Sequence, residues 1–473
     1  MTQIEISRAG IGEPRGSTVG TGQAGVNTVM FWYLLTILAV APLPLGSNRP
    51  FFWGLWAVAI GLGGVVYTLI LRRKREQFRV RMSALGLPVA LFVAVCAFLF
   101  VQTLPIAQFL GLGEITTNGV TVPSKTISLA PTATILMLIR QLTFGLLFFL
   151  VLQISVNDQR RSLLLKSLLI VALGYAAYGL YNLTTADTIL GMPKWGYQHV
   201  ATGTFVNRNS FATYLGLGAV IALTQIGRIL VRQAERHEDD GRIQGNGSWI
   251  VLYLIAYITL LATLMATGSR MGLAATLAGS VVVALLTAWG MRRLKAVLYA
   301  VPAIAVVLAA GFVTYGNRLV DRLGAVDSDV EIRGALYAQV IDLISLRPLT
   351  GFGGGAFEQA FPLVHQAPVS FDLVWQKAHS TYLSLWAELG LVVGSLPLLA
   401  VALLAWRMLA SLRAGRGSWS SQTVALAAIT VCGVHSLLDF SLEIEAVAFT
   451  FVALLAAGTA TVRPKGSREA GTI

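Results

Sequence analysis

A histidine and a few arginines stand where apolar stretches of this chain give way to polar ones, and they are the residues with which it could do chemistry. His379 lies in Lys377-Ala378-His379-Ser380-Thr381-Tyr382, at the head of a long apolar run. With Tyr382, Leu383 and Trp386 it recurs at i, i+3, i+4 and i+7, a spacing that predicts an imidazole over an aromatic stripe. Two readings are open. One is a histidine in the aromatic belt of a membrane interface. The other is a general base, since an unperturbed pKa near ~6.5 leaves a neutral ring able to take a proton from an alcohol.

Arg270 occupies a very short turn, Thr267-Gly268-Ser269-Arg270-Met271-Gly272, and Arg333 has Tyr337 at i+4. Separately, they read as a snorkelling side chain and a surface charge. Two arginines converging with one histidine suit a diphosphate, because forked donors bind phosphate oxygens bidentately and keep their charge. Arg208, in Asn207-Arg208-Asn209, adds a third candidate cation; the two asparagines either cap a helix or support the site. His435 and Asp439 stand at i, i+4, as an imidazole with its orienting carboxylate or as a structural pair. Arg140 and Glu388 fall inside apolar runs, where charges are costly and usually paired, and a mutual ion pair is one possibility. Glu388 is nine residues past His379, on the opposite side of a helix, and reads as structural. Gly351 to Gly355 has no βαβ context for a dinucleotide. No Cys/His cluster or Walker loop stands out, and Asp327-Ser328-Asp329 reads as the start of a loop helix. The expectation is neither metal nor cofactor.

The elements that must position these residues are membrane helices. The chain has 473 residues, 55% hydrophobic and 12% charged, against roughly 25% charged in soluble domains. Its mean hydropathy is +0.71. The net charge of +13 would suggest nucleic acid, but a chain this apolar would not stay in solution to meet it. Cys96 and Cys432 both lie in apolar runs and make no disulfide framework. Apolar runs of about 20 residues begin near Asn27, Pro50, Ser83, Pro131, Ser162, Ser210, Trp249, Met271, Ala296, Ser380, Ser420 and Glu445. The expected fold is all-α, a polytopic bundle of about twelve transmembrane helices over 28–463. A disordered N-terminal tail (1–27) and a short C-terminal tail (464–473) flank it. Most Lys and Arg residues fall in alternate loops, which predicts both tails inside the cell. The other side carries three long loops: Pro105 to Ala130, Thr184 to Asn209, and a large one over 315–378. In the last, Asp329 to Ser345 reads as a helix capped at Ser328 or Asp329, with Ile332, Leu336, Val340, Leu343 and Ile344 on its apolar face, ended by Arg347-Pro348. It would lie on the membrane face as a lid.

Several segments together resemble the O-antigen ligase and O-antigen polymerase superfamily. They are Gly203-Thr204-Phe205-Val206-Asn207-Arg208-Asn209, Gly268-Ser269-Arg270, Arg333 followed by Pro348-x-x-Gly351-x-Gly353, Ala378-His379-Ser380-x-Tyr382 with Glu388-x-Gly390-Leu391, and His435-Ser436-x-x-Asp439. The resemblance covers roughly residues 200 to 460; the earlier runs match only in hydropathy. It implies a bacterial inner-membrane glycosyltransferase with its site on the periplasmic face, serving lipopolysaccharide or exopolysaccharide synthesis. The donor would be a glycan on undecaprenyl diphosphate and the acceptor a sugar hydroxyl of a glycan or glycolipid. Carried over, Arg270 and Arg333 would contact the diphosphate and His379 would act at the acceptor. Ser380 stands where the family often has Asn. The rival reading is a transporter or flippase of the lipid-linked sugar, which should place its cations along a midplane cavity rather than at one face.

The charge asymmetry makes the orientation testable. Single cysteines at Val326 and Gln366 should react with an impermeant thiol reagent in cells with a permeabilised outer membrane, and one at Asp239 should not. Labelling at Asp239 alone would invert the orientation.

Overall fold

A computed structural model of the protein describes residues 21–117, 120–185, 187–194, 196–240, 247–292 and 326–460. The chain is mostly helical. Among the described residues, seven helices are long and apolar enough to cross a membrane: α2 (Pro50–Arg73), α4 (Pro131–Ser155), α5 (Asp158–Thr185), α6 (Arg208–Asp240), α7 (Gly247–Ala266), α8 (Arg270–Gly290) and α10 (Thr381–Arg413). Further helices complete the bundle: α1 (Thr21–Val40), α3 (Leu87–Gln102), α11 (Trp419–His435) and α12 (Glu445–Thr459). The helix α9 (Val326–Leu346) belongs to the large loop. The apolar run expected from Ala296 and the C-terminal tail lie outside the described residues. α1 begins at Thr21, inside the stretch expected as a tail.

Local chemistry sets several of these boundaries. Pro50 and Pro131 occupy the first positions of α2 and α4, where a missing N–H costs nothing and the fixed φ suits a helix. At α8 the Ser269 hydroxyl accepts from the Gly272 amide at 3.2 Å and caps the helix. α9 begins at Val326, ahead of Ser328 and Asp329, so neither is its cap. Its expected apolar face holds: Leu336, Val340 and Leu343 are fully enclosed.

α6 is the centre of the bundle, packed against α5, α7, α8 and α11. Small residues bring the helices together, as usual where lipid-like surroundings give no solvent-driven attraction. A Cβ at Gly279 of α8 would lie 2.5 Å from Val431 of α11, and one at Gly218 of α6 would lie 2.7 Å from Ala172 of α5. A separate core of Leu336, Val340, Phe352, Phe357, Phe361 and Ala387 joins α9 and the following loop to the first turns of α10.

Two polar devices hold the loop-rich end to this frame. Arg140 of α4 pairs with Glu445 at 2.8 Å, each 2% exposed, and donates to the Glu443 carbonyl at 2.7 Å. The pairing of Arg140 with Glu388 considered from the sequence is therefore not formed, because Glu445 at the start of α12 reaches Arg140 first. The second device is a break in α10. Gly390 has φ +75° and ψ 166°, so the helix stops for one residue inside its span. The freed carbonyls of Ala387 and Glu388 accept from the amides of Phe352 (3.0 Å) and Gly353 (2.9 Å), and the Leu391 amide donates to Pro348 at 2.7 Å. The Glu388 carboxylate accepts from the Gly355 amide at 2.8 Å, and Gln102 bonds the carbonyls of Thr350 and Glu388. Glu388 thus has the structural role expected of it, with a glycine loop as partner.

A Cβ at Gly351, where φ is +59°, would lie 2.5 Å from the Glu388 backbone. Gly351→Ala should cost roughly 2–4 kcal/mol, from left-handed strain plus overpacking. Gly334→Ala on α9, where nothing lies within 4 Å, should be neutral or slightly stabilising. Thermal unfolding midpoints in detergent compare the two; equal midpoints would show that the loop does not need this close approach.

Candidate functional site

His379 is not on a helix. α10 starts at Thr381, and His379 has φ +53°, in the left-handed region that side chains bearing a Cβ seldom enter. The stripe predicted with Tyr382, Leu383 and Trp386 therefore excludes it. The imidazole sits edge-on to Trp375 and Phe440, with ring centroids 5.8 Å and 5.1 Å away. Neighbouring contacts hold this backbone in place. The His379 carbonyl accepts from the Tyr337 hydroxyl of α9 at 2.9 Å. The Thr381 amide donates to Ser436 at 3.1 Å, and the Tyr382 hydroxyl donates to Gly433 at 2.8 Å. The segment is clamped between α9 and the end of α11.

Arg333 lies one turn before Tyr337 on α9. Its charge and that of Asp439 both act on His379, Tyr337 and Tyr197, which makes these residues one electrostatic cluster. Burial holds the His379 pKa below its ordinary value; Asp439 pulls it up, Arg333 pushes it down and Glu443 pulls it up. Burial pushes the Tyr337 phenol up to about 12, so it stays protonated and donating.

Asp439 faces α6. One carboxylate oxygen accepts from Asn209 at 3.1 Å, the other accepts from the Ser441 hydroxyl, and His435 Nδ1 lies 3.9 Å away. His435 itself is 1% exposed, with Nδ1 2.5 Å from the Thr213 hydroxyl and 3.3 Å from that of Ser441. Of the two asparagines, Asn207 caps α6, its side chain accepting from the Asn209 amide at 2.7 Å. Arg208 opens α6, with its guanidinium 5.5 Å from the Tyr197 ring.

Arg270 opens α8 and is exposed. The first turns of α8 and α6 touch: a Cβ at Gly272 would lie 2.6 Å from that of Ala212. α6, α8 and α10 all begin at this end of the bundle, each presenting the positive end of its dipole. Lys377 pairs with Glu443 at 2.6 Å and Arg140 with Glu445. Among the described residues, no ion pair uses Arg270 or Arg333. Their donors are available to an anion.

Residues 255–398 match the O-antigen ligase family. That segment takes in Arg270, Arg333, His379 and Glu388, and the match supports the superfamily read from the motifs. It supports, at the general level, a membrane glycosyltransferase of O-antigen ligase or polymerase type. Arg208, His435 and Asp439 lie beyond the ligase match, and the structure brings Asp439 to it. No curated protein matches the chain.

Trp375, Phe440 and Tyr197 were missed in the sequence. Phe440 meets His379 only through the folding back of the turn after α11, whereas Trp375 lies four residues before His379 in an irregular loop. Tyr197 lies in a loop without periodicity. Tyr337 was visible as the i+4 neighbour of Arg333.

The electrostatics predict how His379 titrates. Its pKa, followed by NMR of ring-labelled histidine and assigned with His379→Gln, should lie below about 6.5. Asp439→Asn removes an attractive charge and should lower it further; Arg333→Gln removes a repulsive one and should raise it. A pKa above 6.5, or one that neither variant moves, would separate His379 from this cluster.

Proposed function

We propose that the protein transfers a glycan from a lipid diphosphate to an acceptor hydroxyl at its loop-rich end, with His379 as general base. The observation that carries this reading is the juxtaposition of a desolvated imidazole with Arg333 on α9. Its surroundings favour the neutral ring at ordinary pH, the form that accepts a proton. The acceptor hydroxyl gives its proton to His379 and its oxygen attacks the anomeric carbon. The bond from that carbon to the diphosphate oxygen breaks, and the electron pair leaves with the diphosphate. Arg333 and Arg270, with Arg208 at the neighbouring helix start, hold that growing negative charge, helped by the amide ends of α6 and α8. Direct displacement inverts the anomeric centre.

Asp439, held by Asn209 and Ser441, favours the imidazolium that forms. His435 is too enclosed to meet an acceptor and serves by packing against Thr213 and Ser441. An apolar cavity of about 320 Å³ runs from Thr381 and Ser384 between α3, α4, α10 and α12 to Leu404 and Leu455. It suits an isoprenoid tail, and undecaprenyl diphosphate on the periplasmic face of the inner membrane is the donor we favour. The deeper Arg140 is already paired with Glu445, so no free cation is seen between the two ends among the described residues, which argues for transfer rather than passage across the membrane. The arginines replace the divalent cation that many diphosphate-releasing transferases use.

The test is transfer from lipid-linked donor by purified protein, with release of lipid diphosphate as readout. His379→Ala should bind donor and lose roughly 10²–10⁴-fold in turnover. Arg270→Ala and Arg333→Ala should lose donor affinity as well as turnover, and lysine at either position should restore only part. Excess EDTA should leave the rate unchanged. Loss of donor binding with an unchanged maximal rate in His379→Ala would make the histidine a phosphate ligand, and loss in EDTA restored by magnesium would overturn the arginine assignment.

A further inference from the structure

At the opposite end of the bundle a cavity of about 1320 Å³ opens between the 78–85 segment, the start of α5, the far part of α6, the end of α10 and the start of α11. Seven arginines line it, Arg79, Arg228, Arg232 and Arg416 among them, against the two acids Asp158 and Glu235. Some of this charge is used internally. Arg161 bonds Asp158, the Ser155 carbonyl and the Ser421 hydroxyl, and Arg407 donates to Leu85 at 2.6 Å. Other donors are not used: the Nε atoms of Arg79, Arg228 and Arg416 are enclosed without a hydrogen-bond partner among the described residues. Arg228 and Arg232 also stand at i, i+4 on one helix, where like charges repel.

The rule that places basic residues on the inner side of a membrane requires only that they be on that side. It gives no reason for them to turn inward from two loops and three helices onto one cavity, or to bury donors unpaired. An occupant with several negatively charged acceptor oxygens supplies that reason. The lining also holds apolar side chains, the buried Leu85 and Leu404 and Trp406, which is 62% exposed, as aromatic side chains at a lipid interface are.

We propose that this cavity binds the phosphate headgroup of an anionic membrane lipid whose acyl chains lie along the exposed Trp406 side. The geometry fits basic pockets between membrane helices that hold lipid phosphates. The proposal uses none of the groups assigned to glycosyl transfer and stands or falls separately from it.

The full chain, purified in detergent, is incubated with phosphatidylglycerol or with phosphatidylcholine of the same acyl chains, and retained lipid is counted by native mass spectrometry. Phosphatidylglycerol should be retained and phosphatidylcholine should not. Arg228→Gln with Arg416→Gln should weaken retention by roughly tenfold or more. Arg72→Gln with Arg73→Gln, an equal change of charge at the exposed end of α2, should leave it unaltered. Equal retention of the two lipids by the unaltered protein overturns the proposal even if a variant does not fold, as does equal loss in both variant pairs. Complete displacement by excess inorganic phosphate would assign the cavity to a free anion and overturn the lipid reading.

Discussion

A backbone group in hydrocarbon cannot be left unpaired, so a membrane helix can stop only where other backbone takes over its hydrogen bonds. The interruption of α10 at Gly390 is such a place. The carbonyls released there are taken by the amides of the 351–355 loop, with Gln102 and Glu388 closing the remaining valences. This seam fixes the loop after α9 to the bundle, and through it the core formed by Leu336, Val340 and Phe352. α9 in turn carries Arg333 and Tyr337, and Tyr337 holds the His379 carbonyl. The position of the imidazole is therefore tied to a hydrogen-bond exchange inside the membrane span.

Charge at this end is sorted by whether a partner was built for it. Arg140 and Lys377 meet Glu445 and Glu443, and both pairs pin the turn between α11 and α12. That turn brings Asp439 and Phe440 against His379. Among the described residues Arg270 and Arg333 have no such acid, and Arg270 stands at the start of α8, where the local field already favours an anion. Paired cations thus hold the candidate site in place, and the proposed ligand preference rests on the two arginines outside those pairs. The left-handed φ at His379 fits this arrangement, since an unfavourable backbone state persists only where surrounding contacts over-determine it.

Much of the site was legible in residue types. His379, Arg270, Arg333, Arg208 and the His435–Asp439 pair could be named because polar groups at the ends of apolar runs have no reason of their own to be there. The i+4 relation of Arg333 and Tyr337 was readable because helical periodicity is local. The aromatic stripe drawn through His379 failed for the complementary reason. Whether a helix begins at 379 or 381 depends on the bonds made by Ser436 and Gly433, more than 50 residues away.

Composition and hydropathy by themselves determined that the chain is a helical membrane protein, because the backbone must satisfy itself in lipid and 55% apolar sequence leaves little else to build. The motifs pointed to a superfamily that the match over residues 255–398 supports. The choice of Glu445 over Glu388 as partner for Arg140, the break at Gly390 with the glycine loop inserted into it, and the separation of exposed Arg270 from enclosed His435 were decided only by the tertiary structure. Each depends on which of several equally possible partners arrives within about 3 Å, and a linear sequence carries the partners but not the distances.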